Sequence, residues 1–378
     1  MTVLCGSKHT NRSKDFVFHI PQDKSFDDFY HLGEEIGHGS SGAVFDCSAN
    51  KTISNVTVRS TWISKLLSRL VSAKSNTTNG TTLACKILLK TDSDSCGWLD
   101  KFGLRGIEAA LSTTHPCIVK YHEFLEDSNT MYAIMDRYTG QDLFDYVMEH
   151  RPLSEPRASA IMTQVLKAVS YIHNLHAIHR DIKPENFMFE SKSPNANLKL
   201  VDFGSCTCES SFTHYPPSSS ILPLKRRAIV GTTGYCPPEV FTGIYNEKVD
   251  LFSSGVLLFI MVTGEMPFEC RDLGQYQASL ERAKRDGLWK VLNMKGDRLR
   301  ECSAECKDLI AQLLCINEAS RPSAASALLH PWIGTSASVD RRNEVDLYAG
   351  LRKMPKTDIS PLQRDTATER DSLLVKWF

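Results

Sequence analysis

Apolar and polar residues change their rhythm partway along the chain. Between residues 29 and 138 the apolar residues come in short runs, such as 83–89 and 131–135, separated by turn-forming residues, which is the pattern of β-strands. From Leu143 onward the spacing becomes helical. In 157–177, Ile161, Val165, Leu166, Val169 and Ile172 recur every three or four positions, and 249–262 behaves the same way. Strands that precede helices, rather than alternating with them, predict an α+β architecture: a small β-rich lobe and then a larger helical one. Residues 1–28 hold no sustained period and are expected to form an N-terminal extension. Two stretches interrupt the plan, 48–82 and the Ser/Pro-rich 206–223.

Composition narrows the possibilities. At 378 residues the chain is long for one core and suits two lobes with appendages. Lys+Arg and Asp+Glu both total 44, so no global field draws it to nucleic acid or to a membrane surface. No apolar run is long enough to suggest a membrane span. The start lacks the apolar core of a signal peptide, and Thr2 stands where N-myristoylation needs glycine. Twelve cysteines are too dilute for a disulfide scaffold, and the tightest spacings, Cys206–Cys208 and Cys302–Cys306, belong to no Cys/His set with zinc-ligand spacing. The expectation is reduced thiols in the cytoplasm, with the nucleus as the second compartment.

Two segments carry chemistry. Gly37-His38-Gly39-Ser40-Ser41-Gly42-Ala43-Val44 is a glycine-rich turn between strand-like runs, of the kind whose backbone amides can cradle phosphates. Alone it is equally a simple hairpin. It opens no helix, which argues against a dinucleotide-binding turn. The second segment is Ile178-His179-Arg180-Asp181-Ile182-Lys183-Pro184-Glu185-Asn186, followed by Asp202-Phe203-Gly204. With it the chain resembles the eukaryotic protein kinase superfamily over roughly 29–333, the glycine loop, a strand lysine, the catalytic loop and Asp-Phe-Gly falling in that family's order. Pro237-Pro238-Glu239, Asp250 and Arg321 fall where the family anchors its large lobe.

The resemblance implies a two-lobed kinase fold. Its N-lobe would be 29–136 with 48–82 as an insertion, its C-lobe 139–333, and 334–378 a C-terminal tail. It also implies roles. Asp181 would accept the proton of a substrate hydroxyl, and Lys183, the serine/threonine-kinase form of this loop, would meet the transferring phosphate. Asn186 and Asp202 would hold Mg2+, and Lys86 would grip the phosphates of ATP. Ile36, Gly37, Gly39, Gly42, Val44 and Ala84 would cover the nucleotide. Met135 would stand behind adenine, Asp136 and Tyr138 would flank Arg137 in the hinge, and Met188 would form the floor. Phe203, Gly204, Thr232, Glu239 and Arg321 would frame the activation segment. Glu108, the sole acid in 104–111, is assigned as the partner that holds Lys86; a solvated helix glutamate is the other reading, and it would favour a nucleotide-binding scaffold with little turnover.

Asp142 and Glu185 are acids on the expected substrate side, which favours protein substrates with Arg or Lys upstream of the target Ser/Thr. Asp142 also sits where related kinases touch ribose. Within the superfamily, Gly140-Gln141-Asp142-Leu143-Phe144, Val262-Thr263-Gly264-Glu265-Met266-Pro267-Phe268 and His330-Pro331-Trp332-Ile333 look like phrases of the calcium/calmodulin-dependent group. Phe252 departs from that group's usual tryptophan, and no twelve-residue calcium loop is present. Ala228 stands near the usual activating phosphosite, so activity without phosphorylation there is expected, with Ser218, Ser219 and Ser220 as fallback sites. In the insertion, 59–74 combines Trp62, Ile63, Leu66, Leu67 and Leu70 at helical spacing with Arg59, Lys65 and Arg69. That stretch reads either as a helix packed on its own lobe or as a docking helix for an acidic partner or anionic membrane surface.

Overall fold

The computed structural model describes residues 17–39, 42–50, 83–89, 115–208, 229–293 and 298–335. These fall into two compact units, 1–115 with 119–138, and 116–118 with 139–378.

The first unit is built on one six-stranded sheet. Its strands are β1 (Val17–His19), β2 (Tyr30–Gly39), β3 (Gly42–Ala49), β4 (Leu83–Leu89), β5 (Tyr121–Glu126) and β6 (Thr130–Asp136), in the spatial order β1-β5-β6-β4-β3-β2. All neighbours are antiparallel except β1, which runs parallel to β5. Because side chains alternate across a strand, register decides which residues share a face. Val44 lies opposite Lys86, Asp46 opposite Ala84, Lys86 opposite Ala133, and Ala84 opposite Met135. Those residues line one face. The other face presents Cys47, Cys85 and Ile134, packed with Leu125, Ile20, Phe26 and Tyr30.

Ahead of Phe29, the described residues already hold structure: β1 pairs with β5, a single 3-10 turn covers Phe26–Asp28, and the Phe26 ring stacks on Tyr132 with centroids 4.1 Å apart. A three-residue strand and one buried aromatic are too short to leave a period in the sequence, which is why 17–28 read as a loose extension.

The second unit is mostly helical. It contains α1 (Leu143–His150), α2 (Glu155–Asn174), α3 (Val249–Thr263), α4 (Leu273–Asp286), α5 (Leu288–Leu292), α6 (Arg298–Glu301), α7 (Ala304–Leu313), α8 (Ala324–Leu328) and α9 (Trp332–Thr335). Two small antiparallel ladders join them, β7 (Ala177–Ile178) with β10 (Thr207–Cys208), and β8 (Phe187–Phe189) with β9 (Leu198–Leu200). Helix α3 is buried along its whole length, as expected of a helix apolar on every side. It forms the axis of the unit, contacting both α2 and α7. Among the described residues no helix is long and apolar enough to cross a membrane. Segregation of strands from helices gives the α+β class that the changing periodicity predicts.

Candidate active site

In the second unit the catalytic-loop segment 179–186 is fixed by its backbone before any side chain acts. Asp250, the second residue of α3, accepts the His179 amide on Oδ2 (2.9 Å) and the Arg180 amide on Oδ1 (2.8 Å). His173, in the last turn of α2, donates Nε2 to the same Oδ2 at 2.9 Å. Burial alone would push the Asp250 carboxyl up; the hydrogen bonds from His173 and the His179 amide outweigh it and hold the group below the usual carboxylate range. A buried carboxylate with several donors stays charged and therefore stays put.

Arg180 turns the chain through φ +69°. Its guanidinium donates Nε to Ser205 O at 2.6 Å and Nη2 to Cys206 O at 3.5 Å, so it braces the segment after Asp202 through backbone carbonyls. His179 donates Nε2 to Asp202 O (2.5 Å), and its Nδ1 accepts from the Asp181 amide (3.3 Å). One imidazole therefore ties the stretch carrying Asp181 to the stretch carrying Asp202. The ring also packs edge-on against Phe203.

Four predicted side chains then converge. Asn186 donates Nδ2 to Asp181 O (2.6 Å) and Oδ2 (3.1 Å). Lys183 Nζ lies 3.0 Å from Asp181 Oδ2. Thr232 donates its hydroxyl to Asp181 Oδ1 at 2.6 Å and accepts from Lys183 Nζ at 2.8 Å. Thr232 reaches this position through a tight turn at Gly231, where φ is +125° and an added Cβ would lie 2.6 Å from Cys236 Sγ and 2.8 Å from Arg180 O. Only glycine tolerates that combination.

Further predicted residues take defined places. Asp202 Oδ1 accepts from the Gly204 amide (2.9 Å). Met188 is half-buried on β8, while its neighbours Phe187 and Phe189 are buried. Asp142 is the N-cap of α1, accepting the Asp145 amide at 2.8 Å. That use was readable from an Asp set directly before an apolar helical run. Glu239 and Arg321 form a buried ion pair (Nη1 to Oε1 2.6 Å); Arg321, 1% exposed, also donates to Lys248 O and Cys315 O and lies over the Phe252 ring.

Glu185 is the unusual acid. Its Oε2 is buried without a hydrogen-bond partner. Burial pushes its carboxyl up, Lys183 opposes this, and the charges of Asp181 and Asp142 add to it.

In the first unit, Val44, Ala84, Lys86 and Met135 share a sheet face by register. The turn at Gly42 has φ +132°, and a Cβ there would fall 2.2 Å from Ile87 O, so the hairpin closes onto β4 only with glycine. Gly37 pairs with Val44 and Gly39 with Gly42; Ile36, half-way along β2, is exposed. The hinge residues are held by side chains that motif reading overlooked. Asp136 takes a hydrogen bond from His122 Nε2 (2.7 Å), Arg137 pairs with Asp46, and the Tyr138 hydroxyl accepts the Lys120 amide (3.2 Å).

Glu108, residues 59–74, Ser218–220 and Ala228 lie outside the described residues. Sequence reasoning also missed His173. Its signal was a titratable residue continuing the buried stripe of α2 just before the catalytic loop.

The protein kinase domain model matches residues 68–333, and the chain belongs to that family; the glycine hairpin lies ahead of the matched stretch. The chain is 35% identical over 226 residues to calcium-dependent protein kinase 3 of Plasmodium berghei, covering 60% of this chain and 38% of that protein. It is 33% identical over 255 residues to calcium-dependent protein kinase 4 of Plasmodium falciparum, covering 67% and 44%. It is 27% identical over 318 residues to the human calcium/calmodulin-dependent protein kinase type IV, covering 82% and 55%. The matched stretches therefore span well under two thirds of these relatives' own lengths.

Proposed function

We propose that this chain is a serine/threonine protein kinase that transfers the γ-phosphoryl group of ATP to Ser or Thr hydroxyls of protein substrates. The observation that carries the reading is the convergence of Asp181, Lys183, Asn186 and Thr232 on one point of a loop pinned by Asp250.

Asp181 Oδ2 accepts the proton as the substrate oxygen forms its bond to the γ-phosphorus and the bond to the ADP oxygen breaks. Its other oxygen is already held by Thr232, so the carboxylate meets the substrate in a fixed orientation. Lys183, bonded to both groups, carries the positive charge that the transferring phosphoryl oxygens need.

The donor set fits Mg2+. The Asn186 amide nitrogen is bonded to Asp181, so Asn186 would hold the ion through its carbonyl oxygen and Asp202 through its carboxylate. When bound there, Mg2+ neutralises phosphate charge. The sheet face with Val44, Ala84, Lys86 and Met135 is the nucleotide surface of the first unit, Lys86 supplying the charge.

Glu185 gives the reading a substrate preference. One buried oxygen of Glu185 has no hydrogen-bond donor, and an Arg or Lys upstream of the target residue would supply one. Twelve cysteines too dilute for a disulfide scaffold suit a reducing compartment, the cytoplasm or nucleus.

The test is phosphate transfer from Mg-ATP to an arginine-containing serine peptide by the wild-type chain, Asp181→Asn and Lys86→Met. Loss of about a hundredfold or more in each variant is expected. Near-wild-type turnover by Asp181→Asn would sink the base assignment, and nucleotide binding with no wild-type turnover would make the chain a scaffold.

A further inference from the structure

On the side of the second unit built from α2, α7 and α9, three potential metal ligands meet that the kinase reading does not use. We propose that Glu155, Cys302 and Cys306 form a binding site for a soft divalent cation of the zinc class. Their donor atoms, one carboxylate oxygen and two thiol sulfurs, all lie within 4.8 Å of one another.

The backbone explains the convergence. Cys302 immediately precedes Ser303, the N-cap of α7, and Cys306 is the third helical residue, whose amide Ser303 Oγ accepts at 3.1 Å. Capping folds the chain back so that these two side chains meet over the helix start. Glu155, the first residue of α2, is brought in by the same serine: Ser303 donates its amide to Oε1 (2.7 Å) and its hydroxyl to Oε2 (2.6 Å). Trp332 donates Nε1 to Oε2 at 2.7 Å. Oε2 is thereby saturated, while Oε1 accepts one bond and keeps a second lone pair for a ligand. Donors that fix a carboxylate from behind are what metal sites place in their outer shell.

Dimensions agree. Zinc–sulfur bonds of about 2.3 Å and zinc–oxygen bonds of about 2.0–2.2 Å place neighbouring donors about 3.5–3.8 Å apart in a tetrahedron. A closure of at most about 1.3 Å, within side-chain reach, takes the observed cluster there. Three protein ligands leave one vertex for water, as in open zinc sites. Cys302, 9% exposed, marks the solvent side, and Cys306 is fully buried.

Two other uses of the thiols fit less well. Inert core cysteines account for the burial of both thiols but not for the carboxylate donor that Ser303 and Trp332 hold charged beside them. A peroxide-reactive dithiol is served by cationic neighbours that favour the thiolate; here Lys307 favours it and Glu155 opposes it, so the two charges pull against each other. A divalent cation reverses that conflict, because it attracts all three groups at once.

The experiment uses the full chain, reduced and stripped of metal. Titration with Co2+ should give one equivalent of thiolate-to-cobalt charge-transfer absorbance, displaced by Zn2+ and untouched by Mg2+ or Ca2+. Cys302→Ser and the Cys302→Ser/Cys306→Ser pair should abolish it. Trp332→Phe, which removes one outer-shell donor, should weaken Co2+ binding by about 10–100-fold. A readout that needs no variant is peptide mapping of alkylation in the wild type, where Zn2+ should protect Cys302 and Cys306 selectively. Absorbance that survives in the double variant, alkylation unchanged by Zn2+, or a Cys302–Cys306 disulfide in place of bound metal would each overturn the proposal.

Discussion

Thr232 gives its hydroxyl hydrogen to Asp181 Oδ1 at 2.6 Å across a gap of some fifty residues in sequence. The bond binds the loop that carries the proposed base to the segment that precedes Pro237-Pro238-Glu239. It makes Thr232 a positioning residue for the transfer. Thr232→Val should lower kcat by about 10–100-fold with little change in the KM for ATP, the scale on which one fixed polar contact acts in a reaction centre. Thr232→Ser should recover most of the loss. Steady-state kinetics of the three proteins checks this, and an equal loss in Ser and Val would remove the hydroxyl from the account.

Glu185 tests substrate preference. Its buried, unpartnered oxygen predicts that Glu185→Gln folds at least as well as the wild type, since a buried carboxylate oxygen without a donor disappears. Discrimination between peptides with and without an upstream arginine should fall about tenfold or more, the value of a charge-assisted bond. Parallel kinetics on the two peptides, with melting curves, reads both effects. Unchanged discrimination would assign the basic preference elsewhere.

The Arg321–Glu239 pair is buried, and breaking one partner strands the other's charge. Glu239→Ala should destabilise the second unit by about 3–5 kcal/mol, measured as a lower urea midpoint. Glu239→Gln keeps the hydrogen-bond acceptor and should cost less. A midpoint shift smaller for Ala than for Gln would contradict the pairing.

Asp250 fixes an acid limit. Its carboxyl is held below its ordinary value against the upward push of burial, so its contribution to stability is complete above about pH 4, the unfolded value, and is lost as the pH falls below it. Acid titration followed by circular dichroism should show a steeper loss below pH 4 in the wild type than in Asp250→Asn. The variant should already be weaker at neutral pH, by about 1–3 kcal/mol, because it cannot accept from His173 and both loop amides as the carboxylate does. Equal acid slopes would show that Asp250 does not titrate between the two states.

The proposed reaction centre was legible because its chemistry depends on order along the chain. Asp181, Lys183, Asn186 and Asp202 sit on segments whose spacing is nearly rigid, so sequence places them and the structure brings the first three into contact. What escaped was long-range and single-residue. His173 contributes one nitrogen to Asp250, Arg137 one guanidinium to Asp46, and His122 one ring to Asp136. Each looks like an ordinary surface ion until β-register or a helix end sets its direction. Asp142 illustrates the converse. Read as an acid for ribose or substrate, it has one oxygen committed to capping α1, a local demand that competes with any ligand.

Phe26 shows how a short segment outside any motif contributes. Its ring on Tyr132 closes the sheet face away from Lys86, and Phe26→Ala should cost about 3–5 kcal/mol. Thermal melting with nucleotide withheld would measure it. A loss under about 1 kcal/mol would mean that the segment merely lies on the sheet.

Strand β1 has a consequence for how molecules meet one another. It occupies the outer side of β5, where a row of backbone donors and acceptors would otherwise stand open. A fragment cut at Phe29 would keep every motif of the first unit, yet it would leave that row bare beside an uncovered apolar face holding Cys47, Cys85 and Ile134. Bare edges recruit strands from other molecules. Such a fragment should self-associate at concentrations where the chain that retains Val17–His19 stays monodisperse, which makes this three-residue strand a guard against fibrous or domain-swapped assembly.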